Sequence, residues 1–328
     1  MSVLITGAGI IGCHTARILA ASGTTVVLLD RLPALDAIRS IVDHPLVSVV
    51  TGDVTDVAAL ERLVRDLSVD AIVHTAALLS TAIRQDPLTG IHVNIMGTAN
   101  VLEVARRQRL RRVVLASSST VGYQAFGDFD GAAFPEDFAM HYLRDRPASI
   151  YVGTKVAGEY LALLYRDLYR VDAIALRYAA VISAWSGPGT SVPGKVLSSL
   201  LLPAQRGETA CIDDPYTVWN GGEEFIDARD CARANVAALD AVEPTQGVYN
   251  IGMGRLASFD DFVHAVRLSY PALQVRLDVQ AAGGFAGFPH VRGAASDISA
   301  AARELGWTPA HSLAEAITHY VPLLASGA

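Results

Sequence analysis

The first 120 residues alternate short runs of aliphatic and β-branched residues with longer stretches in which apolar positions recur at helical spacing. The apolar runs are VLIT, VVLLD, LVSVV, AIVHT and RVVLASS; the amphipathic stretches cover residues 10–22, 57–67 and 98–107. Strands alternating with helices at this interval are βαβ units, and right-handed crossovers collect them into one parallel sheet with helices on both faces. The strands carry few polar residues, as expected when both faces are covered. A long helix is predicted over 150–169, followed by the strand DAIALRY. The fold class is therefore α/β, a doubly wound parallel sheet.

From residue 180 the texture changes. WSGPGTSVPGK and DDPYTVWNGGEE are rich in Gly, Pro and polar residues and read as loops. Helical spacing returns over 230–241, 258–268, 296–305 and 313–324, separated by the short strands VYNIG and LQVRLDV. The expected organisation is a dinucleotide-binding domain over 1–178 and a smaller substrate-facing lobe over 179–328, partly interleaved with the first.

Composition fits an enzyme of this kind. Of 328 residues, 51% are hydrophobic and 18% charged, a balance that builds a core without disulfide or metal staples. With 26 Lys and Arg against 33 Asp and Glu the formal net charge is −7, which offers no phosphate-backbone groove. RRQRLRR, at 106–112, reads as the solvated end of a helix whose cations sit near the C-terminal dipole. Nucleic-acid partners are therefore not expected. The three cysteines, at 13, 211 and 231, form no CxxC pattern and have no paired His, so neither a disulfide framework nor a metal site is indicated. A cytoplasmic location follows from the reduced-thiol usage and from a strand that begins at residue 2 without a leader pattern. No stretch is long and apolar enough to suggest a membrane span.

Chemistry enters at the first strand. Gly7, Gly9 and Gly12 form GxGxxG between strand and helix, with Ile10 and Ile11 opening that helix. Glycines there permit a tight turn and close approach of backbone N–H groups to a pyrophosphate, whose charge the helix N-terminus favours. Asp30 closes the second strand, where a carboxylate accepts from ribose hydroxyls and repels a 2′-phosphate. NAD is thus preferred over NADP, although Arg31, the next residue, is the kind of group that neutralises such a phosphate. Asp53 and Val54, ending the third strand, fall where an adenine would lie, and Asp53 equally suits a turn or cap. HTAA, including Ala76, ends the fourth strand with small residues that leave room for a cofactor to cross. His74 reads as a hydrogen-bonded sheet-end histidine rather than a base.

Tyr151 and Lys155 form YxxxK, which on a helix puts a phenol and an ammonium on one face. The ammonium favours the phenolate, so Tyr151 is the candidate proton donor and acceptor and Lys155 its electrostatic partner. Ser117, Ser118, Ser119 and Thr120 end the fifth strand at the edge where α/β sheets bind ligands, and one of these hydroxyls is expected to bond the reacting oxygen.

Together the glycine loop, Asp30, DV at 53–54, HTAA, NIMGTANVLEVA (94–105), SSSTV, YVGTK, LRY (176–178), FIDARDCARA, YNIG and DISAAARELGWTP resemble the extended short-chain dehydrogenase/reductases, the NAD-dependent epimerase/dehydratase family. The likeness spans nearly the whole chain. It implies that Ser118 is the catalytic hydroxyl, with Ser119 or Thr120 beside the substrate and the register within the four left open. It also implies that Asn94 steadies the cofactor side, that Lys155 contributes to cofactor binding, that Arg177 meets the substrate, and that a homodimer forms through helices over about 87–107 and 151–169. Two departures stand out: the family's GxxGxxG is one residue shorter here, and its VYG is replaced by VGY at 121–123.

Nucleotide-sugar members commonly carry an Arg just before the aromatic of the segment matching EEFIDARD, to grip a diphosphate. Glu223 and Glu224 stand there instead and would repel one, leaving Arg177, Lys195, Arg206, Arg229 and Arg292 as alternative grips. HTAALLS and VISAWSGPGTSVPGK are similar to the threonine 3-dehydrogenase branch. Three readings remain open: a dehydrogenase or reductase of a small hydroxylated substrate, a nucleotide-sugar epimerase or dehydratase with tightly held NAD, and a non-catalytic NAD-binding protein.

Overall fold

A computed structural model describes residues 1–129, 133–141, 143–144, 147–188 and 191–325, the side chains of 322–325 excepted. Gly189 and Thr190, within the segment compared above with threonine dehydrogenases, lie outside the described residues. The chain opens with β1 (Ser2–Thr6), α1 (Ile10–Ala21), β2 (Thr25–Asp30), the short α2 (Leu35–Arg39), β3 (Val47–Thr51), α3 (Val57–Asp66) and β4 (Ala71–His74). Two short helices, α4 (Ser80–Gln85) and α5 (Pro87–Ile91), run through a π-helical turn at His92–Met96 into α6 (Gly97–Gln108). Then come β5 (Arg112–Ser118), a 3-10 segment at Ser119–Asp128, α7 (Ile150–Tyr169) and β6 (Ala173–Tyr178).

β1 to β6 form a parallel sheet in the order β6-β5-β4-β1-β2-β3. Between β1 and β4 the winding direction reverses, and the carboxyl ends of these strands bound the crevice in which doubly wound sheets bind ligands. β4 and β6 are buried along their whole length, because helices cover both faces. α7 starts at Ser149, whose Oγ accepts from the Val152 N–H (3.3 Å), and stops at Arg170 in the left-handed region (φ 60°). Those two ends set where along the sheet edge the YxxxK face falls.

The second lobe comprises β7 (Ala180–Ile182), α8 (Val192–Arg206), β8 (Ala210–Ile212), β9 (Glu223–Asp227), α9 (Ala228–Asp240), β10 (Val248–Ile251), β11 (Leu256–Ala257), α10 (Phe259–Arg267), β12 (Val275–Leu277), α11 (Ser299–Glu304) and α12 (Leu313–Ala325). It has its own core, with Trp219, Phe225, Phe262 and Phe285 among residues of α8, α10 and α12. Two of its elements nevertheless belong physically to the first lobe. β10 pairs in parallel with β6 and becomes the seventh strand of the main sheet, and α9 packs on α1 through the shared core that holds Cys13, Ala16, Cys231 and Ala234. α8 occupies a stretch expected to be loop. Its N-terminus is set by Ser191, which caps Gly194 (3.2 Å), and by Pro193 in the first turn, while Pro203 inside the helix had masked the pattern.

The cationic segment 106–112 is dispersed. Arg106 and Arg107 bind Glu103 at 2.7 Å, and Arg112 is buried against Asp172 (2.6 Å) and the carbonyls that end α9. Among the described residues no helix is long and apolar enough to cross a membrane, and no His, Cys, Asp and Glu group is arranged to hold a metal.

One buried chain of hydrogen bonds ties the lobes together: Tyr178 donates to Asn235 Oδ1 (2.6 Å), and Asn235 Nδ2 donates to Thr15 Oγ1 (3.0 Å). Asn235→Ala leaves both hydroxyls without that partner in a site closed to water. Its expected cost is about 2 kcal/mol, read as a lower urea midpoint with an unchanged slope.

Candidate functional site

The turn after β1 expected to hold the cofactor has glycines at two contacts that no side chain tolerates. Gly7 has φ +90°, and a Cβ there would sit 2.6 Å from the Ala76 backbone nitrogen. A Cβ on Gly12 would strike the Gly7 carbonyl oxygen. Gly9, by contrast, faces open space and caps α1 with no side chain of its own. The helix N-terminus is thus left bare toward the crevice, with half-buried Ile10 and Ile11 in its first turn. Asp30 Oδ2 accepts from the Ala8 N–H (2.9 Å) and Oδ1 from that of Leu32 (3.0 Å), so the carboxylate is anchored at the carboxyl end of β2 while Arg31 is exposed. The shorter glycine loop therefore still brings the turn, the helix N-terminus and the carboxylate together, and these groups fit NAD.

Asp53 forms an Asx turn, its Oδ1 accepting from the N–H and hydroxyl of Thr55 at 2.8 Å each. The buried Val54 holds α6 through its carbonyl, which accepts from Asn100 Nδ2 (3.0 Å). His74 is buried between Thr6 Oγ1 (2.6 Å) and Thr98 Oγ1 (3.2 Å). Thr98 already donates to the Asn94 carbonyl (2.7 Å), so His74 must donate from Nε2 and accept from Thr6 at Nδ1. Burial, with the Lys155 charge adding to it, pushes its imidazole down to about 3, and it is neutral at working pH. Asn94 sits in the π-helical turn, a local widening that aims its side chain across to α7. Its amide accepts from the Leu78 N–H (2.8 Å) and donates to the Leu78 carbonyl (3.0 Å) and Thr154 Oγ1 (3.1 Å). It pins the loop after β4 to the helix that carries Tyr151 and Lys155.

Those two side chains lie together at the end of β5. Lys155 Nζ donates to the Ala116 carbonyl (2.7 Å) and stands 5.7 Å from the centre of the Tyr151 ring. Of the four hydroxyls, Ser118 is the one whose interaction bears on the Tyr151 phenol. It also accepts from Thr120 Oγ1 (2.9 Å), whereas Ser117 turns the other way and donates to Glu159 Oε1 (2.5 Å); Ser119 is buried beside them. Burial pushes the Tyr151 phenol up to about 12, against the Ser118 hydrogen bond, so in the free protein it carries its proton. Burial pushes the Lys155 ammonium down to about 8, opposed by the charge of Glu159.

Arg177, expected to meet the substrate, has its guanidinium taken up inside the protein. Nε and Nη2 bind the two Glu159 oxygens (2.9 and 2.7 Å), and Nη1 donates to the Glu136 carbonyl (2.6 Å). Glu159 is the neighbour of these groups that motif reading missed; its position four residues beyond Lys155 was the available signal.

Glu223 and Glu224 are buried on β9, and Arg292 answers both, Nη1 to Glu223 (3.0 Å) and Nη2 to Glu224 (2.6 Å), with Nε on the Ala294 carbonyl (2.9 Å). The VGY exchange belongs to the same cluster. Tyr123 turns inward, donates to Glu223 Oε2 (3.0 Å) and stacks on Phe288 at 4.0 Å, and a Cβ on Gly122 would press on the Phe134 ring (2.5 Å). Arg229 is likewise held by Asp227 (2.6 Å).

The model of the NAD dependent epimerase/dehydratase family matches residues 3–252. UDP-glucuronate 4-epimerase 4 of Arabidopsis thaliana is 26% identical over 98% of this chain and 74% of its own length. Among solved structures, the UDP-glucose 4-epimerase of Thermus thermophilus in complex with NAD is 25% identical with a TM-score of 0.77, covering 100% of both chains. An L-threonine dehydrogenase from Cupriavidus necator is 23% identical with a TM-score of 0.80, covering 99% of this chain and 100% of that one. An epimerase and a dehydrogenase thus share this fold, and the fold does not choose between them.

Tyr151→Phe is expected to lower turnover by about three orders of magnitude while calorimetric NAD binding stays as in the wild type, because the glycine cradle is untouched. Asp30→Gly should narrow the preference for NAD over NADP by about tenfold, measured as the ratio of the two dissociation constants.

Proposed function

The chain belongs to the NAD-dependent epimerase/dehydratase family, and from that starting point we propose that it is a dehydrogenase or reductase of a small hydroxylated substrate that carries no diphosphate. The observation that carries this reading is the pairing of Arg292 with Glu223 and Glu224. Where nucleotide-sugar members present a cation, β9 offers two carboxylates, and the nearest guanidinium is spent neutralising them. Arg177 and Arg229 are also engaged by carboxylates. Of the five grips weighed from the sequence, Lys195 and Arg206 remain exposed. A diphosphate asks for more convergent positive charge than that.

NAD, when bound, would supply the hydride acceptor and positive charge that favours the phenolate. In the oxidative direction Tyr151, its own proton released to solvent under that charge, would take the hydroxyl proton as hydride leaves the carbon; in the reductive direction the protonated phenol would give its proton to the carbonyl oxygen. Ser118 would orient the reacting oxygen, and Lys155 would hold positive charge beside both. Ser119 and Thr120, adjacent on the chain, supply further contacts to the substrate. The cradle of Gly7, Gly9, Ile10, Ile11 and Gly12 with Asp30, Asp53, Val54, Ala76 and Asn94 holds the cofactor.

The curated relatives support a second reading. Their names are those of nucleotide-sugar 4-epimerases, in which a sugar hydroxyl is oxidised and re-reduced with no net change in NAD.

A homodimer is part of the proposal. α5 and α7 leave large apolar side chains in solvent, among them Leu88 (80% exposed), Tyr160 (60%) and Leu168 (66%), on the helices the sequence assigned to an interface. A cytoplasmic location suits three cysteines that are all free thiols.

With purified protein and NAD, a panel of small hydroxy acids and polyols should include a compound that gives NADH in step with its consumption, while UDP- and dTDP-sugars give none. Conversion of a nucleotide sugar to its epimer without NADH release would establish the second reading instead.

A further inference from the structure

Glu159 lines the same small cavity as Ala76, Asn94 and Lys155, and it bonds Ser117, the residue between the Lys155 acceptor and Ser118. It lies one helical turn beyond Lys155 on α7, is 8% exposed, and accepts from Ser117, Arg177 Nε and Arg177 Nη2. Ser117 stands between Ala116, whose carbonyl takes the Lys155 ammonium, and Ser118, whose hydroxyl meets Tyr151. Glu159, Ser117 and Lys155 line this small, partly open cavity together with His74, Asn94 and Thr98.

We propose that Glu159 is a positioning residue of the reaction: fixed by Arg177, its carboxylate clamps the end of β5 through Ser117 and faces Lys155 across the shared cavity. The inference rests on Tyr151 and Lys155 being the proton-handling pair.

The surroundings of Lys155 leave Glu159 as its anionic neighbour. From α7 itself come Glu159 and Tyr151, the latter protonated. From β4 comes His74, neutral and held by two threonines. β5 contributes the Ser117 hydroxyl, the π-helical turn contributes Asn94 and α6 contributes Thr98, all uncharged. Arg177 reaches from β6 but is bound by Glu159 in a two-point contact. The ammonium of Lys155, already near 8 through burial and held up by Glu159, is therefore poised where loss of one carboxylate is felt at neutral pH. Arg177 thereby enters the site indirectly, as the group that makes a buried carboxylate tolerable.

The test measures Lys155 in the free protein, without turnover: its rate of acetylation by acetic anhydride against pH, read at that residue by mass spectrometry. Glu159→Gln should move the midpoint about one unit to acid, and the pH profile of kcat/KM should shift with it. Because Glu159→Gln leaves Arg177 buried without an anion, the double variant Glu159→Gln with Arg177→Met serves as the second arm, and the same acidward shift is expected there. Ser117→Ala, which removes the clamp but no charge, should lower kcat with the Lys155 midpoint unmoved. A lower melting temperature in the glutamate variants with an unchanged Lys155 midpoint would overturn the proposal and leave Glu159 a structural residue. Failure of the underlying assignment has a separate signature, an active Tyr151→Phe.

Discussion

A buried ammonium must find an acceptor, and where Lys155 finds one governs the geometry of this molecule's centre. Its partner is a main-chain carbonyl, Ala116, one residue before the strand's last two serines. That bond can form only if α7 crosses the carboxyl end of β5 at one height, which the Ser149 cap and the Arg170 stop determine. Once it forms, Tyr151 falls beside Ser118, and Asn94 can reach Thr154 on the same helix. The glycine turn enters this arrangement through the backbone: Gly7 lies against Ala76, in the loop that Asn94 pins. Cofactor cradle and proton-handling pair are thus two ends of one packed unit.

Two groups of buried ions are paired across distant parts of the chain. Glu159 with Arg177, and Glu223 and Glu224 with Arg292, are taken out of water and then satisfied by two-point or branched hydrogen bonds. Such arrangements add little net stability compared with apolar packing, but removing one member strands the other. They therefore act as constraints on conformation. One of them stiffens the end of β5; the other locks the region after β9 to the segment around residue 292 and consumes the positive charge that an anionic ligand would need.

Local pattern carried the first lobe well. The short β-branched runs and the helically spaced stretches marked the strands and long helices to within a residue or two, since strands such as β4 and β6 are buried on both faces and the helices on one. The glycines, Asp30 and YxxxK were legible because each motif acts over a few residues, within a turn, a strand end or a helical face. What stayed hidden is non-local. Glu223 and Arg292 are 69 positions apart, and nothing in either neighbourhood announces that they neutralise one another, so the two glutamates read as exposed repulsive charge. Arg177 read as a substrate ligand for the same reason, its partner being a carboxylate on a different element. α8 was obscured by its own prolines.

The late arrival of β10 has a bearing on biosynthesis. This strand comes from residues 248–251, about halfway through the second lobe, yet hydrogen-bonds along the outer side of β6. Until the ribosome has released that stretch, the nascent sheet ends in a strand paired on one side only, Ala173–Tyr178, whose outer backbone groups are open to any other extended chain. The two lobes therefore cannot mature one after the other: the edge of the first waits on synthesis of the second, and the interval between them is the period of greatest exposure to self-association.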